Sequence, residues 1–280
     1  MSSPPCVLAV VWVQPVCLKS YNIMQDKEDG KQHKNDMYGN IASRDESDEG
    51  VAPPIPSATV VLLRDRDEGV EVLMLKKNSK ITFGGMWVFP GGKIDAADQR
   101  VDEDSELGAR RAAVREAQEE ASINLDAGAF HYFSHWTPPP GPQKRFTTWF
   151  FAANANGANH EVEIDDGEIK AHSWLNPANA LVAHAKGEID VVPPTWVTLY
   201  HLSQHATVGE FFAHLQSRPV HNYSTRVVKD ANDERVAMWA GDAGYENWDA
   251  DLAGERHRLV MGEGGFEFEN SVVDYTSKGG

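Results

Sequence analysis

Between positions 115 and 120 the chain reads Arg-Glu-Ala-Gln-Glu-Glu. On a helix, Glu116, Glu119 and Glu120 fall at i, i+3 and i+4, so three carboxylates share one face. Like charges at that spacing repel, and no lysine lies among them. Arg115 reaches Glu119 one turn on, but a single guanidinium does not neutralise three carboxylates. Oxygen ligands gathered on one rigid face suit a hard divalent cation such as Mg²⁺ or Mn²⁺. The competing reading is a solvated acidic helix face, which these six residues alone satisfy equally well.

The elements upstream favour the first reading. Met86 to Asp95 (MWVFPGGKID) runs from an apolar, strand-like stretch into Pro90, Gly91 and Gly92. A double glycine permits close approach of the backbone to a ligand. Strand, Gly-Gly turn, loop and Glu-rich helix together make a coherent site for phosphate and metal. In these features the chain resembles the Nudix hydrolases, whose box reads G-x5-E-x7-R-E-U-x-E-E-x-G-U, with U aliphatic. Gly92 matches the first Gly, and Arg115 to Ile123 matches the second half.

The resemblance implies hydrolysis of a nucleoside diphosphate linked to another moiety. It implies Glu116, Glu119 and Glu120 as ligands of Mg²⁺ or Mn²⁺, and as groups that orient or deprotonate a water. The Gly92 carbonyl would complete the shell, and Arg115 would brace the carboxylates rather than touch substrate. An auxiliary acid from outside the box is also implied. Glu168 stands in a similar place, six positions before Trp174, with Asp165 and Asp166 as competitors.

The box departs from the pattern in three ways. Arg115 lies 23 positions after Gly92 (115 − 92) instead of 14, so nine residues are added in the acidic loop DAADQRVDEDSELG. The Glu expected eight positions before Arg115 is Leu107, with Glu106 beside it, and Ser122 stands where the pattern closes on Gly. A lengthened box and the following loop SHWTPPPGPQKRFTTWFF resemble the branch related to the mammalian peroxisomal coenzyme A diphosphatases. That branch carries an Arg before its Gly and FPGG; here Gly85 and Phe89–Gly92 fit, while Ile81 takes the Arg position, next to Lys80. Lys144 and Arg145 are the candidates to meet a substrate phosphate, against the plainer reading of two exposed cations at a strand entrance. Substrates such as ADP-ribose, NADH, nucleotide sugars and dinucleoside polyphosphates stay open. So does a silent module that binds a nucleotide without cleaving it, which Leu107 and Ser122 favour.

The chain of 280 residues carries a net charge of −16, and its basic residues are scattered rather than gathered into a stripe. That argues against binding to duplex DNA and does not exclude a nucleotide held through a metal; a small-molecule nucleotide is the partner the resemblance implies. Cys6 and Cys17 both lie near the N-terminus and form neither a disulfide framework nor a cysteine zinc motif. An intracellular setting follows, cytoplasmic by default, with mitochondria and peroxisomes open. The apolar run Cys6–Leu18 is too short to span a membrane and contains Pro15, so no membrane association is expected.

Composition divides the chain into a disordered leader over 1–52, a catalytic domain over 53–217 and a C-terminal extension over 218–280. Alternation predicts a hairpin from Ala58–Arg64 and Val70–Lys76, and short strands at Trp87–Phe89, Ala129–Trp136, Arg145–Ala153 and Glu168–Leu175. Helices are predicted over 106–122, from Asn176-Pro177 to about 187, and over 194–217. The runs RLVM and FEFE predict strands in the extension. The fold class is α+β, an α/β/α sandwich with a mixed sheet, in agreement with the fold the resemblance implies. His131, His135 and His172 read as core or surface residues ahead of any catalytic role.

Overall fold

The run from Ile55 to Arg66 is apolar on both faces, the signature of a strand covered on both sides. In the computed structural model, which describes residues 53–80, 83–141, 144–157, 161–164, 167–262 and 265–276, it is the central strand β1. The leader, Ile81, Asp165, Asp166 and the last four residues lie outside the described part.

Elements follow in chain order. The strands up to the main helix are β2 (Gly69–Lys77), β3 (Trp87–Val88) and β4 (Gly91–Lys93). Helix α1 (Ser105–Ala121) precedes β5 (His131–Thr137), β6 (Phe146–Asn154) and β7 (Ile169–Leu175). Helices α2 (Pro177–Ala185), α3 (Pro193–Ser203) and α4 (Val208–Gln216) come next. The chain continues with β8 (His221–Ser224), β9 (Arg226–Lys229), β10 (Arg235–Met238), β11 (His257–Gly262) and β12 (Gly265–Asn270).

The main sheet has the order β3-β2-β1-β6-β5-β8, with β4 added to β1 and β7 to β2. It is mixed: β1 runs parallel to β6 and antiparallel to β2 and β4. Alternation along β1 sends Val60 and Leu62 to one face and Val61 and Leu63 to the other. The first face receives α1 through Ala109, Ala112, Ala113, Ala117 and Ala121, all buried. Small side chains let this helix lie close to the sheet. The second face receives α3 and α4 through Trp196, Leu199, Leu202 and Phe211. Two helical layers thus enclose the sheet, as expected.

The predicted helix over 194–217 is two helices. The chain turns at Gln204–Thr207, and the Thr207 side chain caps α4 by accepting from the Glu210 amide. Asn176 caps α2 with Pro177 in its first turn, as its sequence indicates. After α4, β8 pairs with β5, and β9 to β12 form a separate antiparallel sheet. One face of that sheet joins the main core through Trp239, Leu259, Phe266 and Phe268. The other buries Val236, Met238, Tyr245 and Ala250, closed by the buried Asp242–Arg258 pair at 2.6 Å.

Candidate active site

Gly91 and Gly92 are placed by β4, which pairs with Ser57–Thr59 of β1. This brings the turn against the exposed end of α1. A Cβ on Gly92 would overlap the Glu116 carboxylate, and one on Gly91 would overlap the Ala58 carbonyl and Thr59. Gly91 therefore requires glycine for close approach to the backbone, whereas a side chain at Gly92 would displace the Glu116 carboxylate.

The three carboxylates are held by two different cations. Arg115 donates to Glu116 at 2.8 Å and to Glu119 at 2.9 Å. Its other nitrogens reach the Lys93 carbonyl at 2.9 Å and Asp98 at 2.9 and 3.3 Å. The hydrogen bond to Asp98 leads the causes that push the guanidinium pKa further up. Glu120 is only 4% exposed. One of its oxygens accepts from Lys77 at 2.8 Å and the other from the Gly91 amide at 2.9 Å. Burial pulls the Lys77 ammonium down, but Glu120, Glu168 and Glu116 together outweigh it and leave it raised. Burial pushes both Glu116 and Glu120 above the ordinary carboxylate range, and their pairing with Arg115 and Lys77 only partly opposes this.

Glu168, just before β7, lies 3.7 Å from the same Lys77 ammonium. The structure thus brings Glu116, Glu119, Glu120, Arg115, Gly92 and Glu168 into one neighbourhood. Lys144 and Arg145 sit on the other side of β1, where Ile55 donates to the Arg145 carbonyl at 2.8 Å. Lys144 stands 5.2 Å over the Phe146 ring. The Arg145 guanidinium donates to the Pro138 and Pro139 carbonyls at 3.2 and 3.0 Å, shaping the Pro-rich loop. Trp136 is buried in the core and stacks on Tyr223 at 3.6 Å. His135 stacks on Trp149 at 5.0 Å.

Two residues of the site were not singled out from sequence. Asp98 lies six positions after Gly92, the distance at which the box pattern carries its Glu. Counting back from Arg115 leads to Leu107, which is 43% exposed, and to Glu106, which is tied to Arg110 at 2.7 Å. Counting forward from Gly92 finds the 5% exposed carboxylate that anchors Arg115. The nine added residues therefore follow Asp98. They form the exposed turn up to Asp104, where Val101 is 92% exposed, and the start of α1. Lys77, the second omission, ends β2 after Lys76, and nothing local marks it as a partner of Glu120. Ser122 adopts the left-handed conformation (φ 56°, ψ 28°) that ends α1, so the expected glycine's geometry persists without the glycine.

Residues 53–195, half of the chain, match the NUDIX domain. The chain belongs to the NUDIX family. It is 28% identical over 138 residues to the acyl-coenzyme A diphosphatase NUDT19 of Xenopus laevis, a match that takes in 47% of this chain and 36% of that relative. The chain thus spans about a third of the length of that curated relative. Among solved structures, a NUDIX hydrolase from Alicyclobacillus acidocaldarius matches with a TM-score of 0.52 at 21% identity, covering 60% of this chain and 99% of that one. The NUDIX domain of Shewanella oneidensis NrtR, complexed with ADP ribose, gives 0.40 at 16%, covering 53% and 86%. The first of these likenesses agrees with the mixed sheet between helices, to which this chain adds the sheet β9–β12.

The residues of this NUDIX site suit a hard divalent cation. The side-chain donors are all oxygens, burial raises the pKa of two of them even with Arg115 and Lys77 beside them, and a glycine turn lies against one. Glu116, Glu119, Glu120 and the Gly92 carbonyl would hold it. No helix among the described residues is long and apolar enough to cross a membrane.

Proposed function

We propose that the chain hydrolyses the diphosphate of a nucleoside diphosphate linked to another moiety, with coenzyme A or its thioesters as substrate. The observation that carries the reaction is the carboxylate face of α1, held by Arg115 against the Gly91-Gly92 turn. Hydrolysis places a water on one phosphorus, transfers a proton from it and expels the second phosphate. A bound Mg²⁺ or Mn²⁺ supplies charge neutralisation of the diphosphate and a more acidic water.

The chain's own residues supply position and basicity. Glu116, Glu119 and Glu120 would hold the ion, and any one of them could orient or deprotonate the attacking water. Arg115, fixed by Asp98 and the Lys93 carbonyl, sets the orientation of Glu116 and Glu119. Lys77 braces Glu120 and draws in Glu168. The coenzyme A branch is supported by the lengthened box, the Pro-rich loop with Lys144 at its exit, and the likeness to an acyl-coenzyme A diphosphatase. Lys144 would meet the 3′-phosphate.

Lys77 also supplies the one observation for a second reading. An ammonium 2.8 Å from Glu120 can substitute for a metal, which suits a module that binds a nucleotide without cleaving it. Product analysis by phosphorus NMR separates the readings. Coenzyme A, an acyl-coenzyme A, ADP-ribose, NADH and a dinucleoside polyphosphate would each be incubated with the chain and Mg²⁺ or Mn²⁺. Release of 3′,5′-ADP from the coenzyme A compounds is the expected result. Turnover of another substrate alone would remove the coenzyme A assignment. Binding without turnover of any of them would establish the silent module.

A further inference from the structure

On the opposite face of the main sheet from α1, three histidines converge. His201 lies in α3, His205 in the turn after it and His214 in α4. One ring nitrogen from each lies within 4.8 Å of the other two. Their ring centroids are 5.5, 5.1 and 4.9 Å apart. His201 is 9% exposed, and its Nε2 has no hydrogen-bond partner. A buried polar atom without a partner is costly and calls for an explanation.

We propose that His201, His205 and His214 form a binding site for one divalent transition-metal ion of the zinc class. Imidazole nitrogens suit Zn²⁺, Co²⁺ or Ni²⁺, whereas Mg²⁺ prefers oxygen. A tetrahedral zinc holds its nitrogens roughly 3.3 Å apart, from Zn–N bonds of about 2.0–2.1 Å. The three nitrogens, within 4.8 Å of one another, would close to that spacing on binding the ion. The Tyr275 backbone faces the His205 ring and the Thr276 backbone faces the His214 ring.

Burial and the neighbouring rings keep the cluster neutral, as ligation requires, with His205 lowered to about 4. Arg218, the cation nearby, is paired with Asp274 and so opposes metal binding less than a free cation would. His201 and His214 also line a cavity of about 250 Å³, which gives a water or small anion access to the fourth position. A metal here clips α3 to α4.

The test is metal analysis of the full chain, stripped with a chelator, reloaded with Zn²⁺ or Co²⁺ and desalted. The expected result is retention of one Zn²⁺ and a tetrahedral Co²⁺ absorption spectrum. Both should be lost in His205→Asn with an unchanged circular dichroism spectrum, and both kept in Glu119→Gln. His214→Gln serves the same comparison if His205→Asn does not fold. The proposal is overturned if the wild-type chain retains no Zn²⁺ and shows no tetrahedral Co²⁺ spectrum. Equal retention by a folded histidine variant, or loss of the tetrahedral spectrum in Glu119→Gln, would also overturn it.

Discussion

The carboxylate face of α1 and the histidine cluster of α3 and α4 lie on opposite faces of one sheet and gather ligand atoms in opposite ways. The carboxylates lie within five consecutive residues, and Arg115 and Lys77 hold them. The histidines are neutral and buried, and they meet through the turn between two helices. One site concentrates negative charge that Arg115 and Lys77 partly offset. The other removes charge from groups that would otherwise acquire it in mild acid. The difference teaches that a site built on one helix advertises itself by spacing, whereas a site built between elements depends on a fold that spacing does not reveal.

The largest effect expected from this contrast concerns Glu120. In Glu120→Gln, turnover of coenzyme A should fall by about 10²-fold or more, while the histidine cluster and its Co²⁺ spectrum stay intact. Steady-state kinetics beside the absorption spectrum checks this, and retained turnover would remove Glu120 from the active site. Asp98→Ala should act less strongly, by about 10- to 100-fold, because it releases Arg115 rather than a ligand. Partial recovery in Asp98→Glu would distinguish positioning from collapse of the fold.

Acid separates the two regions by sign. A carboxylate whose pKa is raised on folding, such as Glu116 or Glu120, lends stability below its unfolded pKa and loses it as pH rises through the folded value. A histidine whose pKa is lowered does the reverse. His205 falls from 6.5 to about 4, so its contribution is complete above 6.5 and is lost as pH drops toward 4. The urea midpoint of the metal-free chain should therefore fall between those values, and less steeply in His205→Asn. Equal slopes would show that the cluster does not titrate as described. The smallest effect is at the end of α1: Ser122→Gly should stabilise the chain by about 1 kcal/mol, since glycine enters the left-handed region without strain. Thermal melting would reveal the gain, and a loss would show that the Ser122 side chain contributes more than its backbone costs.

Much of the carboxylate region was legible in the sequence because its determinants are local. The alternation of β1 and β2, the alanine face of α1 and the spacing of Glu116, Glu119 and Glu120 each lie within a few turns or strands. Asp98 was within reach of the same counting, but the insertion hides it when the count runs back from Arg115. Lys77 was not, because its pairing with Glu120 joins residues 43 positions apart. Beyond α4 the strands β8, β9 and β10 are four residues each, too short for alternation to stand out against their charged neighbours. The helices α3 and α4 merged in the reading because Gln204-His205-Ala206-Thr207 holds neither Pro nor Gly. The pair His201 and His205, spaced i to i+4, was the visible signal of the cluster; His214 joins them only through the fold.

The central claim is that the α1 carboxylates make the chain a cation-dependent diphosphatase. Its most direct test is the rate of coenzyme A hydrolysis against Mn²⁺ concentration, for the wild-type chain and for Glu119→Gln. Glu119 suits the purpose because its side chain is 58% exposed and carries little of the fold. The expected result is no turnover without the ion, saturation in the wild type, and a loss of about 10²-fold or more in the variant with its melting temperature unchanged. Turnover that ignores Mn²⁺, or a variant as active as the wild type, would contradict it.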